Sequence, residues 1–271
     1  MPELPEVETI KNELLPYVVG HNISGVTLFW EGIVRQPLLK EFYSRILDQE
    51  ITGLIRRGKY LIFSLSSGDF LVIHLKMTGS LLFIKDSSQQ PKYTRAIIHL
   101  DNGTGIFFRD PRKFGTMQLV KDKNSILSKL GPEPLVPEFT TEVLAQRLTK
   151  RKAPIKVVLT DQSFIAGLGN MYADEALFSA GIHPLRPANS LSHDETRRLH
   201  QAIKQVLQSA IGSKGASVST YFRPSGKLGT AHFQFRVAHR GGQPCPICGT
   251  AIKRIPIRHR GSYFCPNCQP E

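Results

Sequence analysis

The chain opens with Met1-Pro2-Glu3-Leu4-Pro5-Glu6, and the interpretation of the whole sequence depends on this stretch. Removal of Met1, which is usual before a small residue, leaves the secondary amine of Pro2 at the terminus. A free α-amino group has a pKa of about 7.7–8, closer to neutrality than a lysine amine. Pro2 is therefore a candidate nucleophile, and Glu3 and Glu6 are candidates for proton transfer beside it.

The same stretch also suits a structural role. Proline is tolerated in the first turn of a helix, and carboxylates there interact favourably with the helix dipole. Val7, Ile10 and Leu14 continue the stretch as one apolar stripe at helical spacing, which ends near Gly20. The sequence predicts a helix that anchors the N-terminus on a core, and both roles stay open at this point.

A series of short apolar runs follows this helix. A β-branched run at residues 23–30 and an amphipathic stretch at residues 38–47 come first, and further runs are centred on residues 54, 62, 72, 82, 97 and 107. Residues 66–69 and 101–103 have the composition of hairpin connections. Many short strands at this spacing predict a β-sandwich or barrel with helices at its margin.

Three loops between these predicted strands concentrate polar and cationic residues. They are Arg56-Arg57-Gly58-Lys59, His74-Leu75-Lys76-Met77 and Asp110-Pro111-Arg112-Lys113-Phe114-Gly115. Each alone is typical of a solvated surface loop. Together they indicate a surface for phosphates, with Met77 and Phe114 as apolar wedges that could enter a base stack.

The amino-acid composition changes at residues 131–137. This segment is too rich in proline for a helix or a central strand, and we interpret it as a linker. Helical patterns dominate beyond it, at residues 142–148, 155–159, 171–179 and 194–211. A glycine-rich turn at residues 166–170 precedes the third of these helices. Such a turn lets backbone amides approach a phosphate, and Asn170 stands where an N-cap or a phosphate donor is expected. Many ordinary interhelical turns have the same composition.

Residues 214–240 alternate glycines with aromatic residues. The irregular first part of this segment is typical of a mobile loop that could fold over a ligand, and an ordinary surface connection has the same pattern.

The four cysteines give the most specific signal in the sequence. Their spacing is C-x2-C-x16-C-x2-C, and they comprise Cys245, Cys248, Cys265 and Cys268. Two short chelating pairs across a hairpin are typical of a closed tetrathiolate site for one structural Zn(II) ion. Two disulfides are the alternative, which a reducing compartment disfavours. Arg254, Arg258 and Arg260 lie on the intervening hairpin and predict a basic finger that grips DNA.

Composition narrows the class of protein further. The 271 residues carry a formal net charge of +13, which favours a polyanionic partner such as nucleic acid, although some basic globular proteins have none. The sequence contains no apolar run of transmembrane length and no secretory signal at the N-terminus. We therefore expect an intracellular protein without a membrane partner.

The quoted motifs together resemble the formamidopyrimidine-DNA glycosylase family, of the bacterial Fpg or MutM type. The resemblance runs in order from residues 1–9 through the Arg57-Gly58-Lys59 turn, the two wedge loops and residues 166–175 to the last cysteine. It implies an α+β multidomain fold: an N-terminal β-sandwich with flanking helices, a helical helix-two-turn-helix domain and a C-terminal zinc-finger β-hairpin. The implied domains are residues 1–130, a linker at 131–139, residues 140–240 with a lesion-capping loop, and residues 241–271.

The resemblance also implies an activity. A bifunctional glycosylase and lyase would remove oxidised purines such as 8-oxoguanine and formamidopyrimidines from double-stranded DNA, through a Schiff base on Pro2. Glu3 would be the general acid and base, with Glu6 as a supporting carboxylate. Phosphates would be held by Lys59, which we also include among the catalytic residues, and by His74, Asn170 and Arg260. The vacated stack would be filled by Met77, Arg112 and Phe114.

Several positions depart from the pattern of the family. Thr78 stands where an acidic residue is frequent, Ser219 where arginine is common, Ala238-His239 where Tyr-Gly is usual, and His259 where a glycine is expected. These departures bear on base preference and not on the class of reaction.

Two other hypotheses remain at this stage. A sister enzyme of the endonuclease VIII type would prefer oxidised pyrimidines, whereas Leu4 and the loop of Arg112 and Phe114 favour the purine enzyme. A non-catalytic zinc-ribbon protein that only recognises damaged DNA would have no need of Pro2 with Glu3. We expect a monomer in the bacterial cytoplasm, associated with the nucleoid through DNA.

Overall fold

The computed structural model describes residues 1–85, 90–218 and 220–271. The chain forms two compact units: Met1–Ser128 with Ser213–His232, and Lys129–Gly212 with Phe233–Glu271. The first unit thus includes a segment, Ser213–His232, that was predicted to belong to the helical domain. The predicted domain boundaries remain a prediction, because compact units need not coincide with independently folding domains. None of the helices described is both long and apolar enough to cross a membrane.

Two sheets make up the core of the first unit. The strands are β1 (Ile23–Leu28), β2 (Val34–Gln36), β3 (Ile51–Arg57), β4 (Tyr60–Leu65), β5 (Phe70–His74), β6 (Ser80–Ile84), β7 (Thr94–Leu100), β8 (Gly105–Arg109) and β9 (Thr116–Val120). One sheet has the order β1-β7-β8-β6, and the other has the order β2-β9-β5-β4-β3. Only β2 and β9 pair in parallel among these strands of the described chain. The predicted β-sandwich is confirmed.

The strands follow the apolar runs of the sequence. Leu61, Phe63 and Leu65 alternate along β4 and enter the core, as expected for a strand with one face on a second sheet. Residues 66–69 join β4 to β5 and residues 101–104 join β7 to β8, so both predicted hairpins are confirmed. Two strands were not predicted from the sequence: β2, which has only three residues, and β9, which begins directly after the glycine of a loop.

The helices of the first unit are α1 (Leu4–Val18), α2 (Leu39–Ile46) and α3 (Asn124–Leu127). Val7, Ile10 and Leu14 of α1 are fully buried in the core, which confirms the predicted stripe and its anchoring role. The short α3 was not predicted.

The second unit is helical and ends in a hairpin. Its helices are α4 (Thr141–Leu148), α5 (Ile155–Thr160), α6 (Asn170–Ala180) and α7 (His193–Gly212), and its strands are β10 (Lys253–Ile257) and β11 (Arg260–Phe264). All four predicted helices are confirmed. α6 is buried around most of its circumference and ends at Gly181, whose φ of +69° gives a left-handed cap that glycine adopts without strain.

Candidate active site and nucleic-acid interface

One end of the sandwich collects the three cationic loops predicted from the sequence. Tyr60 pairs with His74, which pairs in turn with Thr116, so the β3–β4 turn, the end of β5 and the start of β9 lie side by side. In the other sheet, Ser80 pairs with Arg109, which places the start of β6 beside the end of β8. Sheet register therefore brings Lys59, His74 and the loop of Phe114 to the same end.

The first residues of the chain form the buried start of α1. Pro2, Glu3 and Glu6 are all buried. Glu3 is the N-cap of the helix and forms a capping box with Glu6: each side chain accepts a hydrogen bond from the backbone N–H of the other residue. The Glu3 N–H donates to Glu6 Oε2 at 2.7 Å. The structural and catalytic roles predicted for this stretch are therefore compatible, since the helix start fixes the chain directly after Pro2.

An ion pair ties α1 to the β3–β4 turn. Arg56 Nε donates to Glu8 Oε2 at 2.6 Å, and Arg56 Nη1 donates to the carbonyl of Gly58 at 3.1 Å. Burial alone would raise the pKa of Glu8, but hydrogen bonds from Lys11 and Arg56 lower it below its usual value. This pair positions the turn that carries the buried Lys59. Neither Arg56 nor Glu8 was predicted to have this role, because an isolated sequence does not show which strand faces a helix.

His74 is a neutral hydrogen-bond donor in this arrangement. Its Nδ1 accepts the backbone N–H of Lys76 at 2.9 Å, which leaves the ring proton on Nε2. Burial, assisted by the charges of Lys76 and Lys59, lowers the pKa of His74 to about 3. A neutral imidazole with a fixed Nε2–H can donate to a phosphate oxygen over the whole physiological pH range.

The buried carboxylate of Asp110 organises residues 110–115, which we call the wedge loop. Asp110 Oδ2 accepts the N–H groups of Phe114 and Gly115, each at 2.7 Å, and Oδ1 accepts the N–H of Arg112 at 3.2 Å. The hydroxyl of Thr78 also donates to Oδ1. One side chain thus fixes the wedge loop and links it to the segment that carries Met77. No role was predicted for Asp110 from the sequence.

Three predicted DNA-contacting side chains meet at the surface of this loop. The Arg112 guanidinium lies 4.5 Å from the centroid of the Phe114 ring, and Arg112 Nη1 lies 3.5 Å from Met77 Sδ. Met77 is 43% exposed and Phe114 is 42% exposed. Large apolar side chains at an exposed, cationic tip are the arrangement that wedge residues need.

The second unit holds the other two predicted phosphate ligands. Asn170 and Arg260 both line a cavity of about 650 Å³, together with the basic residues Lys150, Arg151, Lys152, Lys156 and Arg258. Asn170 is the first residue of α6 and Gly169 is the N-cap, so the expectation that Asn170 stands at an N-cap is wrong. Asn170 Nδ2 donates to the carbonyl of Gly261 at 2.8 Å, which connects α6 to the hairpin. The cavity has the charge and the helix N-terminus that favour a phosphate.

The four cysteines form a metal site. Their Sγ atoms all lie within 4.8 Å of one another, and three of the separations are between 3.5 and 3.8 Å. Tetrahedral zinc with Zn–S bonds of about 2.3 Å requires S···S separations of about 3.8 Å, so the site fits one Zn(II) ion. Four thiolates leave no open position for water, and the zinc is structural. It fixes the base of the β10–β11 hairpin that carries Arg260.

The positions that depart from the family pattern have distinct surroundings. The N–H of Ala238 donates to Glu175 Oε1 at 2.8 Å, and that buried carboxylate also accepts the N–H groups of Arg236 and Val237. His239 and His259 both have φ of +61°, the left-handed region that favours glycine. Ser219 lies outside the described residues.

Models of three protein-family domains match the chain. They are the formamidopyrimidine-DNA glycosylase N-terminal domain at residues 1–117, the formamidopyrimidine-DNA glycosylase H2TH domain at residues 130–222, and the zinc finger found in FPG and IleRS at residues 242–270. Together these segments span most of the sequence.

Curated relatives and solved structures agree with these matches. The formamidopyrimidine-DNA glycosylase of Moorella thermoacetica is 43% identical over 253 residues, which cover 92% of each chain. That of Geobacillus kaustophilus is also 43% identical, over 92% of this chain and 93% of its own. The crystal structure of the MutM (Fpg) protein from Thermus thermophilus has a TM-score of 0.91 at 38% identity and covers 100% of this chain and 99% of its own. A complex between the Lactococcus lactis Fpg and abasic-site DNA has a TM-score of 0.92 at 32% identity, over 99% of this chain and 100% of its own.

Proposed function

The chain belongs to the formamidopyrimidine-DNA glycosylase family, and we propose that it is a bifunctional glycosylase and lyase that removes oxidised purines from duplex DNA. The single observation that carries this proposal is the buried start of α1, where Pro2 lies directly before the capping box of Glu3 and Glu6. Helix capping alone accounts for the two carboxylates, but a protein that only bound damaged DNA would have no need of a proline amine directly before them.

The chemistry begins once Met1 has been removed and the Pro2 nitrogen is a free secondary amine. Its lone pair forms a bond to C1′ of the damaged nucleotide while the glycosidic bond breaks and the base leaves with the bonding electrons and a proton. Loss of the amine proton and protonation of the ring oxygen open the sugar and give a cationic iminium. Glu3 is the group that we assign to these proton transfers.

Elimination then cleaves the strand. The iminium acidifies C2′–H, and loss of that proton expels the 3′ phosphate in a β-elimination. A second proton loss, at C4′, expels the 5′ phosphate in a δ-elimination, and hydrolysis of the remaining imine frees Pro2. No oxidant or reductant is needed, because each step moves a proton and a leaving group only.

The remaining site residues support this chemistry by holding a nucleotide outside the helix. A duplex hides C1′, so the nucleotide has to be flipped at a cost of a few kcal/mol. We assign Met77, Arg112 and Phe114 to the vacated stack, and Lys59, His74, Asn170 and Arg260 to the neighbouring phosphates. We further propose that the protein acts as a monomer on bacterial chromosomal DNA.

Borohydride trapping tests the proposal directly. The substrate is a duplex with one 8-oxoguanine opposite cytosine, and the proteins are the wild type, Pro2→Gly and a form that retains Met1. We expect a covalent adduct with the wild type, a much weaker one with Pro2→Gly, which keeps a primary terminal amine, and none with the form that retains Met1, in which the Pro2 nitrogen is an amide. Binding of this duplex without adduct or cleavage, and no better result with an oxidised pyrimidine, would leave damage recognition as the function. A strong preference for the pyrimidine would instead identify an enzyme of the endonuclease VIII type.

A further inference from the structure

The segment Ser213–His232, here named the 213–232 loop, is closed at its neck by backbone hydrogen bonds. The N–H of Thr230 donates to the carbonyl of Ser213, and the N–H of Ala231 donates to the carbonyl of Gly215, both at 2.9 Å. Gly229 N–H donates to Ser217 Oγ, also at 2.9 Å. The ends of this loop are therefore held together by its own backbone.

The far part of the same loop is fixed to the sandwich. Tyr221 is only 4% exposed and belongs to the core cluster, and burial together with the negative charge of Glu6 raises its pKa. The N–H of Phe83 on β6 donates to the carbonyl of Pro224 at 2.9 Å, and Arg223 Nε donates to Glu13 at 2.8 Å. The Tyr221 hydroxyl also donates to the backbone carbonyl of Glu6 at 3.5 Å, so residues 221–224 are anchored on both β6 and α1.

The near part of the loop reaches the start of α1 through Glu6. Glu6 Oε1 accepts the N–H of Ala216 at 2.7 Å, and Glu6 Oε2 accepts the N–H of Glu3 at 2.7 Å. The Glu3 N–H belongs to the peptide group that joins Pro2 to Glu3. One buried carboxylate therefore joins the 213–232 loop to the peptide bond of the proposed nucleophile.

Gly215 makes this close approach possible. Its φ is +75°, and a Cβ added there would lie 2.9 Å from both Cγ and Oε1 of Glu6. A side chain at position 215 would be strained by the backbone conformation and would push Glu6 away. The loop is shaped to place the Ala216 amide against Glu6.

We propose that Glu6 is a positioning residue that couples the 213–232 loop to Pro2 and Glu3, and that it does not carry protons in the reaction. This inference rests on the proposed function. Because each carboxylate oxygen already accepts a backbone N–H, Glu6 transmits the position of the loop to the Pro2–Glu3 peptide. A flipped base that displaces or fixes the loop then changes the orientation of the attacking amine.

The test is a double-mutant cycle on the single-turnover rate of adduct formation at saturating duplex. Glu6→Gln keeps the shape of the side chain but has only one oxygen for two amides, and Ala216→Pro removes the donor on the loop. We expect each to lower the rate by about tenfold, the effect of losing one hydrogen bond to a charged acceptor, and the double variant to be no slower than the slower single variant.

Two matched controls separate coupling from a loosened loop. Ala216→Gly keeps the N–H donor and should restore most of the rate lost in Ala216→Pro. Ser217→Ala removes the contact to Gly229 inside the loop without touching Glu6, and should change the rate far less than Glu6→Gln does. If Ser217→Ala slows the reaction as much as Glu6→Gln, general loosening explains the data and the proposal is wrong.

The pH profile supplies the decisive readout. A positioning residue lowers the rate by the same factor at every pH, so the profile of Glu6→Gln should keep both of its limbs. Loss of one limb would assign proton transfer to Glu6, and additive effects in the cycle would show that Glu6 and the loop act independently; either result overturns the inference. These outcomes presuppose a wild-type adduct that the form retaining Met1 lacks; if that form still gives the adduct, the proposed function fails instead.

Discussion

The wedge loop and the zinc hairpin (residues 245–268) both present cationic residues at an exposed tip, but they are held by different means. Asp110 fixes the wedge loop through three backbone N–H groups and one hydroxyl. Four thiolates around one zinc ion fix the base of the hairpin. A carboxylate depends on the surrounding sandwich for its burial, whereas a tetrathiolate site brings its own binding free energy. The two tips should therefore lose their ordered structure under different conditions.

Removal of the zinc should have the largest effect, and it should be confined to the hairpin. Structural zinc contributes about 10 kcal/mol or more of apparent binding free energy in isolated zinc fingers, so Cys265→Ser or a strong chelator should unfold residues 245–268. We expect amide hydrogen exchange to accelerate there and duplex affinity to fall at least about tenfold, because the proposed contact of Arg260 with a phosphate would be lost. Added zinc should restore the chelated protein but not the variant.

The wedge loop should not respond to that treatment. If chelation also exposes the amides of Phe114 and Gly115, or leaves the hairpin amides protected, the contrast between the two tips is wrong.

Asp110→Ala should disrupt the wedge loop and leave the zinc hairpin intact. It leaves three backbone N–H groups without their acceptor, and a loss of about 3 kcal/mol or more in the free energy of unfolding is expected from unsatisfied buried donors. The zinc content should be unchanged. Denaturant unfolding and binding of the lesion duplex measure the two effects.

Asp69→Ala is the matched control for that variant. Asp69 is also a buried aspartate, paired with Arg45, but it lies at the β4–β5 turn at the other end of the sheet. It should lower stability without weakening lesion binding by the folded protein. Equal losses of lesion binding in both variants would show that Asp110 acts on stability alone.

The contrast also explains what could be predicted from the sequence. The spacing of the cysteines predicts both the four thiolate ligands and their tetrahedral arrangement, so the zinc site was predicted in full. The apolar periodicity of α1 and of the sandwich strands likewise gave the core, because burial follows side-chain spacing. Resemblance supplied the roles of Pro2 and Glu3, which composition alone left open between catalysis and helix capping.

The remaining features depend on contacts between distant residues. Asp110 is one of 22 acidic residues, and nothing local marks it as the acceptor for Thr78 and the wedge loop. The path of the 213–232 loop back to Glu6 joins positions 210 residues apart. The bond of Asn170 to Gly261 also requires the fold, since the sequence indicated either an N-cap or a phosphate donor at that position.

Low pH should reduce the free energy of unfolding through the protonation of His74. Its folded pKa of about 3 lies below the usual value of 6.5, so the unfolded chain binds a proton between these values and the folded protein does not. This contribution to stability is complete above pH 6.5 and is lost as the pH falls toward 3. The free energy of unfolding should therefore decrease more steeply from pH 7 to pH 5 in the wild type than in His74→Asn. If the free energy of unfolding falls equally steeply with pH in both proteins, protonation of His74 does not destabilise the folded protein.

Thr78→Val should have a smaller effect than Asp110→Ala, because it removes one donor and leaves the acceptor with three others. A hydrogen bond to a charged group contributes about 2 kcal/mol, and that is the largest loss of stability expected. The segment of Met77 should become more mobile relative to the wedge loop, with weaker discrimination between damaged and intact duplex. Thr94→Val is the control, since its hydroxyl donates to the carbonyl of Pro91 instead. If both variants discriminate equally between damaged and intact duplex, Thr78 has no role in lesion recognition.

The smallest expected effect concerns the tip of the zinc hairpin. Arg258 and His259 form the two-residue turn between β10 and β11, with φ of +44° and +61°. A turn of this shape favours glycine at its second position, and a side chain there costs about 1–2 kcal/mol. Glycine relieves that strain but adds about 0.4–1 kcal/mol of unfolded-state entropy, so His259→Gly should stabilise the hairpin by no more than about 1.6 kcal/mol.

Zinc affinity is the measurement for His259→Gly, because the folding of the hairpin is linked to metal binding. Arg258→Gly is the comparison: it relieves the same backbone strain but removes a positive charge, so it should weaken duplex binding in a salt-dependent way. His259→Gly should leave duplex affinity unchanged. If it weakens duplex binding as Arg258→Gly does, the imidazole itself contacts DNA, and the strained turn is retained for that contact.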